Sequence, residues 1–175
     1  MPYAINIRSD DPSSHRIRAL WQSASAFEKW PTMESLAYPP HITVAIYPEI
    51  DVPTLSSALE EAFGGMRKLI IPFRRLGYFE SPDAIVLWAS PEIPEVFRTA
   101  VAKVHTRIGI DRCAPYYRPE AWVPHCSLAL SAGLDRRDAA IAFANRPIES
   151  FEVVFDLADC VSFLPVKVLQ ECRLS

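Results

Sequence analysis

The sequence predicts a single α+β domain, and three observations support this fold class. The chain has 175 residues, 50% hydrophobic and 22% charged, which suits one globular domain with a sizeable core. Segments with strand-like alternation are interspersed with segments of helical spacing in mixed order. The stretch YPPHITVAI at 38–46 also has a counterpart, WVPHCSLAL, at 122–130, which indicates a duplicated unit.

Apolar alternation and turn residues predict eight strands. In the first strand Tyr3, Ile5 and Ile7 share one side, and a Ser-Pro-Asp turn separates the third strand from the fourth. In chain order, the predicted strands are 2–8, 41–47, 67–79, 84–89, 125–131, 149–156, 160–164 and 167–173.

Helical spacing predicts two helices in the first part of the chain. The first covers 12–30 and is followed by Pro31. Its apolar face consists of Ile17, Leu20, Trp21, Ala24 and Phe27. The second begins after an N-cap at Asp51 and ends at Gly64-Gly65.

Two further helices follow the fourth and fifth strands. One covers 92–108, with Pro94 in its first turn and Gly109 at its end. The other is predicted to be capped by Asp135 and to end near Ala144, whereas 110–123 forms a loop rich in Tyr, Arg and Pro. No linker divides the chain, so we expect one domain over 1–175.

The internal repeat covers about 38–63 and 122–145, at the offset of 84 residues that separates His41 from His125. Each copy reads aromatic, any residue, Pro, His, apolar, Thr or Ser, apolar, Ala, apolar, followed by a turn and a helix. The matched pairs are Tyr38 with Trp122, Pro40 with Pro124, His41 with His125, Thr43 with Ser127, Ala45 with Ala129 and Asp51 with Asp135. The polar pair recurs in register while the apolar residues vary in identity, which favours a function for the polar pair.

Strand geometry places each imidazole beside a hydroxyl. Because side chains alternate between the faces of a strand, His41 and Thr43 share one face, with the small Ala45 beyond them. The same holds for His125 and Ser127 in the second copy. If the copies pack about a pseudo-twofold axis, the four polar groups converge on one cleft.

Two histidines and two hydroxyls suit chemistry at phosphorus. Imidazole titrates near neutral pH, so one ring can accept a proton from the attacking oxygen while the other donates one to the leaving oxygen. Thr43 and Ser127 are placed to donate hydrogen bonds to two oxygens of a tetrahedral anion. The sequence does not assign the acid and base roles to His41 and His125.

Other kinds of catalytic site fit the residues less well. A zinc site needs three or four ligands, whereas neither motif contains Asp or Glu and Cys126 points away from His125, so we expect no metal and no cofactor. No GxSxG turn is present for a serine hydrolase. His15 and His105 lack the flanking pattern and are interpreted as structural.

Composition also bears on location and partners. The four cysteines form no CxxC pair, no apolar run is long enough to cross a bilayer and the first residues lack a signal-peptide pattern, so we expect free thiols in the cytoplasm and no membrane association. The net charge of −3 argues mildly against binding to long nucleic acids. Two basic clusters, 67–75 and 98–118, are interpreted as solvated faces, with the rim of a phosphate pocket as the alternative.

The two tetrads His41-Ile42-Thr43-Val44 and His125-Cys126-Ser127-Leu128 resemble the signature of the 2H phosphoesterase superfamily, which includes 2′-5′ RNA ligase-like proteins and cyclic phosphodiesterases. The resemblance implies a bilobal, duplicated α+β fold in which two antiparallel sheets face each other across a central cleft, with helices outside. It also implies metal-independent phosphodiester chemistry at ribose oxygens, with His41, Thr43, His125 and Ser127 as catalytic residues.

The expected substrate is a small nucleotide or an RNA terminus that carries a 2′,3′-cyclic phosphate or a 2′-5′ link. Candidate substrate contacts, chosen because they lie next to the motifs, are Tyr47, Tyr116, Tyr117, Arg118 and Trp122. Two alternatives stay open: an RNA end-processing ligase or exonuclease of the same superfamily, and a non-catalytic nucleotide-binding protein. No stable protein partner is implied.

Overall fold

The computed structural model describes residues 1–29 and 31–175. Within these ranges the chain forms eight strands and four α-helices. The strands are β1 (Tyr3–Arg8), β2 (His41–Tyr47), β3 (Leu69–Glu80), β4 (Ile85–Pro91), β5 (Cys126–Ala132), β6 (Phe151–Phe155), β7 (Leu157–Ser162) and β8 (Lys167–Arg173). The helices are α1 (His15–Ala24), α2 (Val52–Phe63), α3 (Glu95–Ile108) and α4 (Arg137–Asn145).

The strands form two four-stranded antiparallel sheets. The first has the order β2-β1-β7-β8 and combines both ends of the chain, while the second has the order β5-β4-β3-β6 and comes from the middle. The α+β fold with two facing antiparallel sheets and outer helices is therefore confirmed. Each motif strand, β2 or β5, lies at one edge of its sheet, and the two contact each other across the cleft.

The duplication extends beyond the repeat visible in the sequence. In both sheets the motif strand lies at the edge and pairs with the strand that precedes it in the chain, β1 for β2 and β4 for β5. The helices exchange sides, because α1 packs against β5 of the second sheet whereas α3 packs against α2 and β2 of the first. This exchange ties the two halves together.

One hydrophobic core continues through both halves. Ile5 and Ile7 of β1, Leu87 of β4 and Phe97 of α3 are fully buried members of it. Within the described ranges, no helix is long and apolar enough to cross a membrane.

The first predicted helix is too long at its C-terminal end. α1 ends at Ala24, because the following backbone turns to pair with the end of β5: Lys29 N–H donates to Ser131 O and Gly133 N–H donates to Phe27 O. Helical spacing does not report this long-range pairing. The part of the prediction that falls on residue 30 lies outside the described residues.

The starts of the last two helices also differ from the predictions. Pro94 is the extended N-cap residue of α3, so this helix begins at Glu95 and not at 92. Asp135 does not cap α4. It lies in a 3₁₀ turn over Leu134–Arg136, and Arg136 occupies the N-cap position without a side-chain bond. By contrast, Asp51 caps α2 as predicted and accepts a hydrogen bond from Thr54 N–H at 2.8 Å.

Candidate active site

The two motif histidines are held in the same way in both halves. His41 is the first residue of β2 and His125 directly precedes β5. Nδ1 of His41 lies 2.9 Å from Pro39 O, and Nδ1 of His125 lies 2.8 Å from Val123 O. A carbonyl oxygen only accepts, so each Nδ1 carries the proton and each Nε2 is left with its lone pair in the neutral ring.

A β-bulge follows the hydroxyl residue in both motif strands. In β2, Ile5 pairs with Ala45 and Asn6 with Thr43, so Val44 has no partner. In β5, Leu87 pairs with Ala129 and Trp88 with Ser127, so Leu128 has none. Bulges of this kind redirect side chains and often lie next to active sites.

The bulges correct the predicted strand faces. Simple alternation places Ala45 and Ala129 beside the histidines, but both alanines are fully buried in the core. Ile46 and Leu130 reach the cleft instead and line it together with the motif residues. Each motif therefore presents a histidine, a hydroxyl residue and then a larger apolar residue to the cleft.

One cavity of about 160 Å³ brings the four motif side chains together, because His41, Thr43, His125 and Ser127 all line it. Its walls are otherwise mainly apolar, with Leu36, Phe163 and Leu164 among the contributors. The prediction that the two copies converge on a single cleft is thus met in geometry.

Two indoles fix the backbones of the motif strands at the hydroxyl residues. Trp122 Nε1 donates to Thr43 O at 3.0 Å, and Trp21 Nε1 donates to Ser127 O at 2.9 Å. Edge strands leave such carbonyls unpaired on one side, and these bonds satisfy them. The same main-chain oxygen is thereby restrained in both halves.

A buried polar network lies beneath Thr43. Tyr38 donates to Asp159 Oδ1 at 2.7 Å, and Asn6 Nδ2 donates to the Tyr38 hydroxyl oxygen at 3.1 Å and to Asp159 Oδ1 at 3.3 Å. Arg8 forms an ion pair with Asp159 at 2.9 Å and also bonds to Glu171. Because the amide nitrogen of Asn6 faces a carboxylate, its Oδ1 faces Thr43 and accepts the Thr43 hydroxyl at 2.9 Å.

The surroundings of Ser127 are aromatic and not polar. Trp88 pairs with Ser127 in the sheet, in the place that Asn6 takes opposite Thr43. The ring of Phe79 lies 5.0 Å from that of His125 in an edge-to-face arrangement. No described residue accepts the Ser127 hydroxyl, so this hydroxyl is available to a ligand.

Gly77 leaves the space that the indole of Trp88 occupies. It pairs with Trp88 across β3 and β4, and a Cβ atom at Gly77 would lie 2.3 Å from the indole. Any side chain at this position would displace Trp88.

Burial favours the neutral form of both motif histidines. Burial, with smaller contributions from the charges of His125 and Arg8, lowers the pKa of His41 to about 4. Burial also lowers the pKa of His125. In the free protein both rings are therefore neutral at pH 7, and an anion between them favours protonation of one ring.

The predicted substrate contacts are placed very differently. Tyr116 is 84% exposed and lines a second cavity, and Tyr117 lines both that cavity and the motif cavity. Tyr47 is buried in the core, because the bulge turns its side chain away from the cleft. Arg118 donates to the carbonyls of Cys113 and Asp111 and so stabilises the loop before β5. Trp122 packs against Phe97 of α3.

Within the described ranges, no group of three or more His, Cys, Asp or Glu side chains is arranged to hold a metal ion. Cys126 is buried, and burial raises the pKa of its thiol to about 12. The basic clusters do not reach the motif cavity: Arg67, Lys68 and Lys103 lie around a separate surface depression.

Asn6, Tyr38 and Asp159 belong to the site but were not predicted from the sequence. A signal was present for two of them, since Asn6 and Asp159 interrupt the apolar strands YAINIR and LADCVS. A polar residue in a buried strand needs partners. Its partners come from distant parts of the chain.

Residues 9–162 match the family model of the 2′-5′ RNA ligase superfamily. No curated protein matches the chain. Among solved structures, TT0787 of Thermus thermophilus is 17% identical, with 99% of this chain and 98% of that chain covered and a TM-score of 0.69. E. coli LigT complexed with 3′-AMP is 15% identical, with 100% and 99% covered and a TM-score of 0.59.

Proposed function

Because the chain belongs to the 2′-5′ RNA ligase superfamily, we propose that it is a metal-independent phosphoesterase that opens a 2′,3′-cyclic phosphate or cleaves a 2′-5′ phosphodiester of a nucleotide or RNA end. The match confirms the resemblance to 2H phosphoesterases drawn from the two tetrads. The observation that carries the proposal is the single cavity lined by His41, Thr43, His125 and Ser127. Two imidazoles and two hydroxyls around one small space suit a phosphate group.

His41 acts as the base in this proposal. Its lowered pKa keeps it neutral, and Nδ1 is occupied by Pro39 O, so Nε2 accepts the proton of the attacking water. The positive charge of Arg8 opposes protonation of His41, which further suits a base.

His125 acts as the acid. The larger second cavity adjoins His125 and Ser127 and does not include His41, so the body of a nucleotide fits on the side of His125. The leaving ribose oxygen then lies near His125, and the water attacks from the side of His41. The substrate phosphate supplies the negative charge that favours protonation of His125.

The two hydroxyls have different tasks. Ser127 has no acceptor among the described residues, and it donates to a non-bridging phosphate oxygen as negative charge builds up there. The Thr43 proton is directed at Asn6 Oδ1, so Thr43 offers a lone pair to the cavity and accepts a hydrogen bond from a substrate or water hydroxyl.

A nucleotide substrate has independent support. LigT, which shares the fold, is described in complex with 3′-AMP, a nucleoside monophosphate of the kind produced when a cyclic phosphate is opened. We also propose a reducing, cytoplasmic location, which the four free cysteines support.

A turnover screen tests the proposed function. Purified protein is assayed against 2′,3′-cyclic nucleotides, 2′-5′ dinucleotides and ADP-ribose cyclic phosphate, with and without EDTA, and with His41→Ala as the control for contaminating enzymes. We expect turnover that survives EDTA and is lost in His41→Ala. Tight binding without turnover of any compound would favour a nucleotide-binding protein, and joining of RNA ends would favour a ligase.

A further inference from the structure

A second cavity of about 700 Å³ opens next to the motif cavity and is called the side cavity here. The two cavities share Tyr117, His125, Ser127 and Leu130. The side cavity lies within the range of about 300–1,000 Å³ that is usual for small-molecule sites, whereas the motif cavity is too small for more than the reacting group. A ligand with its phosphate between the histidines therefore extends into the side cavity.

The walls of the side cavity are aromatic. Tyr78 and Phe79 come from β3, and Tyr116 and Tyr117 come from the 3₁₀ turn between α3 and β5. Tyr116 is 84% exposed, so packing within the protein does not account for its position. Aromatic rings from two separate elements that line one cavity suit the face of a planar aromatic group such as a nucleobase.

The charged side chains that line the side cavity differ from those of a site that binds a nucleic-acid backbone. None of the described residues that line either cavity is Lys or Arg, and the charged residue among those of the side cavity is Glu80. Arg137 Nε lies 2.6 Å from Glu80 Oε1 and offsets part of its charge, but Arg137 belongs to α4 and does not line the cavity.

We propose that the enzyme selects phosphodiesters with a single negative charge and one uncharged aromatic group, and that it discriminates against substrates with an additional phosphate. This inference rests on the proposed function. The reacting phosphate is bound by the histidines and Ser127, the aromatic group lies in the side cavity, and a further phosphate would meet Glu80 with no lining cation to bind it.

The lining also distinguishes this site from an RNA end-processing site. Proteins that bind single-stranded nucleic acids combine stacking rings with basic side chains along the backbone path. Here the rings are present, whereas the cluster of Arg67, Lys68 and Lys103 lies around a different depression. A single nucleoside therefore fits this site better than a chain of nucleotides.

A matched substrate series tests the proposal. We compare a nucleoside 2′,3′-cyclic phosphate with the same compound carrying a 5′-phosphate and with a short RNA ending in a 2′,3′-cyclic phosphate. At low ionic strength kcat/KM should fall about fivefold or more when the 5′-phosphate is added, and the difference should shrink as salt screens the charges. Glu80→Gln should narrow the difference in kcat/KM between the two compounds at low ionic strength, because it removes the negative charge of the lining.

The aromatic part has its own variant and control. Tyr116→Ala should raise KM for the nucleoside cyclic phosphate about fivefold or more, and should leave KM for ribose 2′,3′-cyclic phosphate, which has no base, unchanged. Ile70→Ala, an exposed apolar residue outside both cavities, is the matched control and should change neither value.

Equal or better turnover of the 5′-phosphorylated compound or the RNA would overturn the charge selection. It would leave the proposed function intact, whereas absence of turnover with every cyclic phosphate and 2′-5′ compound would count against the function itself. Binding of the same series to His41→Ala gives the comparison without catalysis. If this variant binds the compounds with and without the 5′-phosphate equally well, the inference is overturned, whether or not the parent protein turns them over.

Discussion

Thr43 donates its hydroxyl proton to Asn6 Oδ1 at 2.9 Å, which makes the two halves of the site chemically unequal. In the other half, Trp88 takes the place of Asn6 as the cross-strand partner of Ser127. The duplication thus gives matching backbones, and one strand position decides which hydroxyl is available to a ligand.

The first prediction concerns the two hydroxyls. Ser127→Ala removes a hydrogen bond to the phosphate that strengthens as charge develops, so kcat should fall about 10²-fold. Thr43→Ala should cost less than about tenfold, since the Thr43 proton is directed into the protein. Steady-state kinetics of both variants on one substrate measures the order, and a larger loss for Thr43→Ala would contradict the assigned roles.

Asn6 should contribute to stability through the network beneath Thr43. Asn6→Ala leaves Thr43 without its acceptor and removes a donor to Tyr38 and Asp159, so the free energy of unfolding should fall by about 1–3 kcal/mol. Denaturant unfolding measures the change. Asn145→Ala, at the exposed end of α4, is the control and should stay within about 0.5 kcal/mol of the parent protein.

The pH profile should be shifted to acid. The base His41, with its pKa lowered to about 4 by burial, becomes active as the pH rises through that value. The acid His125 loses its proton as the pH rises through a pKa that lies below its ordinary value of 6.5. Because both pKa values are lowered, the profile of kcat/KM, whose limbs belong to the pair, should peak on the acid side of pH 6.5.

A pH series on the parent protein measures this profile, and the exposed His15→Gln is the control that should leave both limbs in place. A maximum of kcat/KM at pH 7 or above would show that burial does not lower the pKa values of His41 and His125 in the free protein.

Gly77 should tolerate no side chain. Gly77→Ala forces Trp88 out of its place, because the added Cβ would lie 2.3 Å from the indole, and overpacking of this kind costs about 1–3 kcal/mol. Thermal or denaturant unfolding detects the loss. The double variant Gly77→Ala/Trp88→Phe should recover part of it, and no recovery would place the effect elsewhere than in this contact.

Local patterns predicted the parts of the fold that depend on neighbouring residues. The strand over 41–47 follows from the alternation of apolar residues. The helix capped by Asp51 follows from an N-cap hydrogen bond between residues only three positions apart. The motif pairs His41 with Thr43 and His125 with Ser127 were found in the same way, because the two residues of each pair are two positions apart within a strand or at its start.

Features set by distant residues were not predictable from the sequence. The bulges that bury Ala45 and Ala129 depend on the register of β1 and β4. Asn6 and Asp159 are 153 positions apart and meet only when β1 pairs with β7. The substrate contacts were predicted from their position next to the motifs in the sequence, which does not fix where a side chain lies in the fold. Tyr116 lines the side cavity, whereas Tyr47 is buried in the core.

The most direct test of the central claim is a double-mutant cycle on His41 and His125. Thermal melts first establish that His41→Ala, His125→Ala and the double variant are folded, and kcat is then measured for all four proteins on the best substrate of the screen. Each single variant should lose at least about 10²-fold, and the double variant should lose much less than the product of the two, because the rings act as one unit. A folded His41→Ala protein with near-normal turnover would contradict the paired acid and base roles.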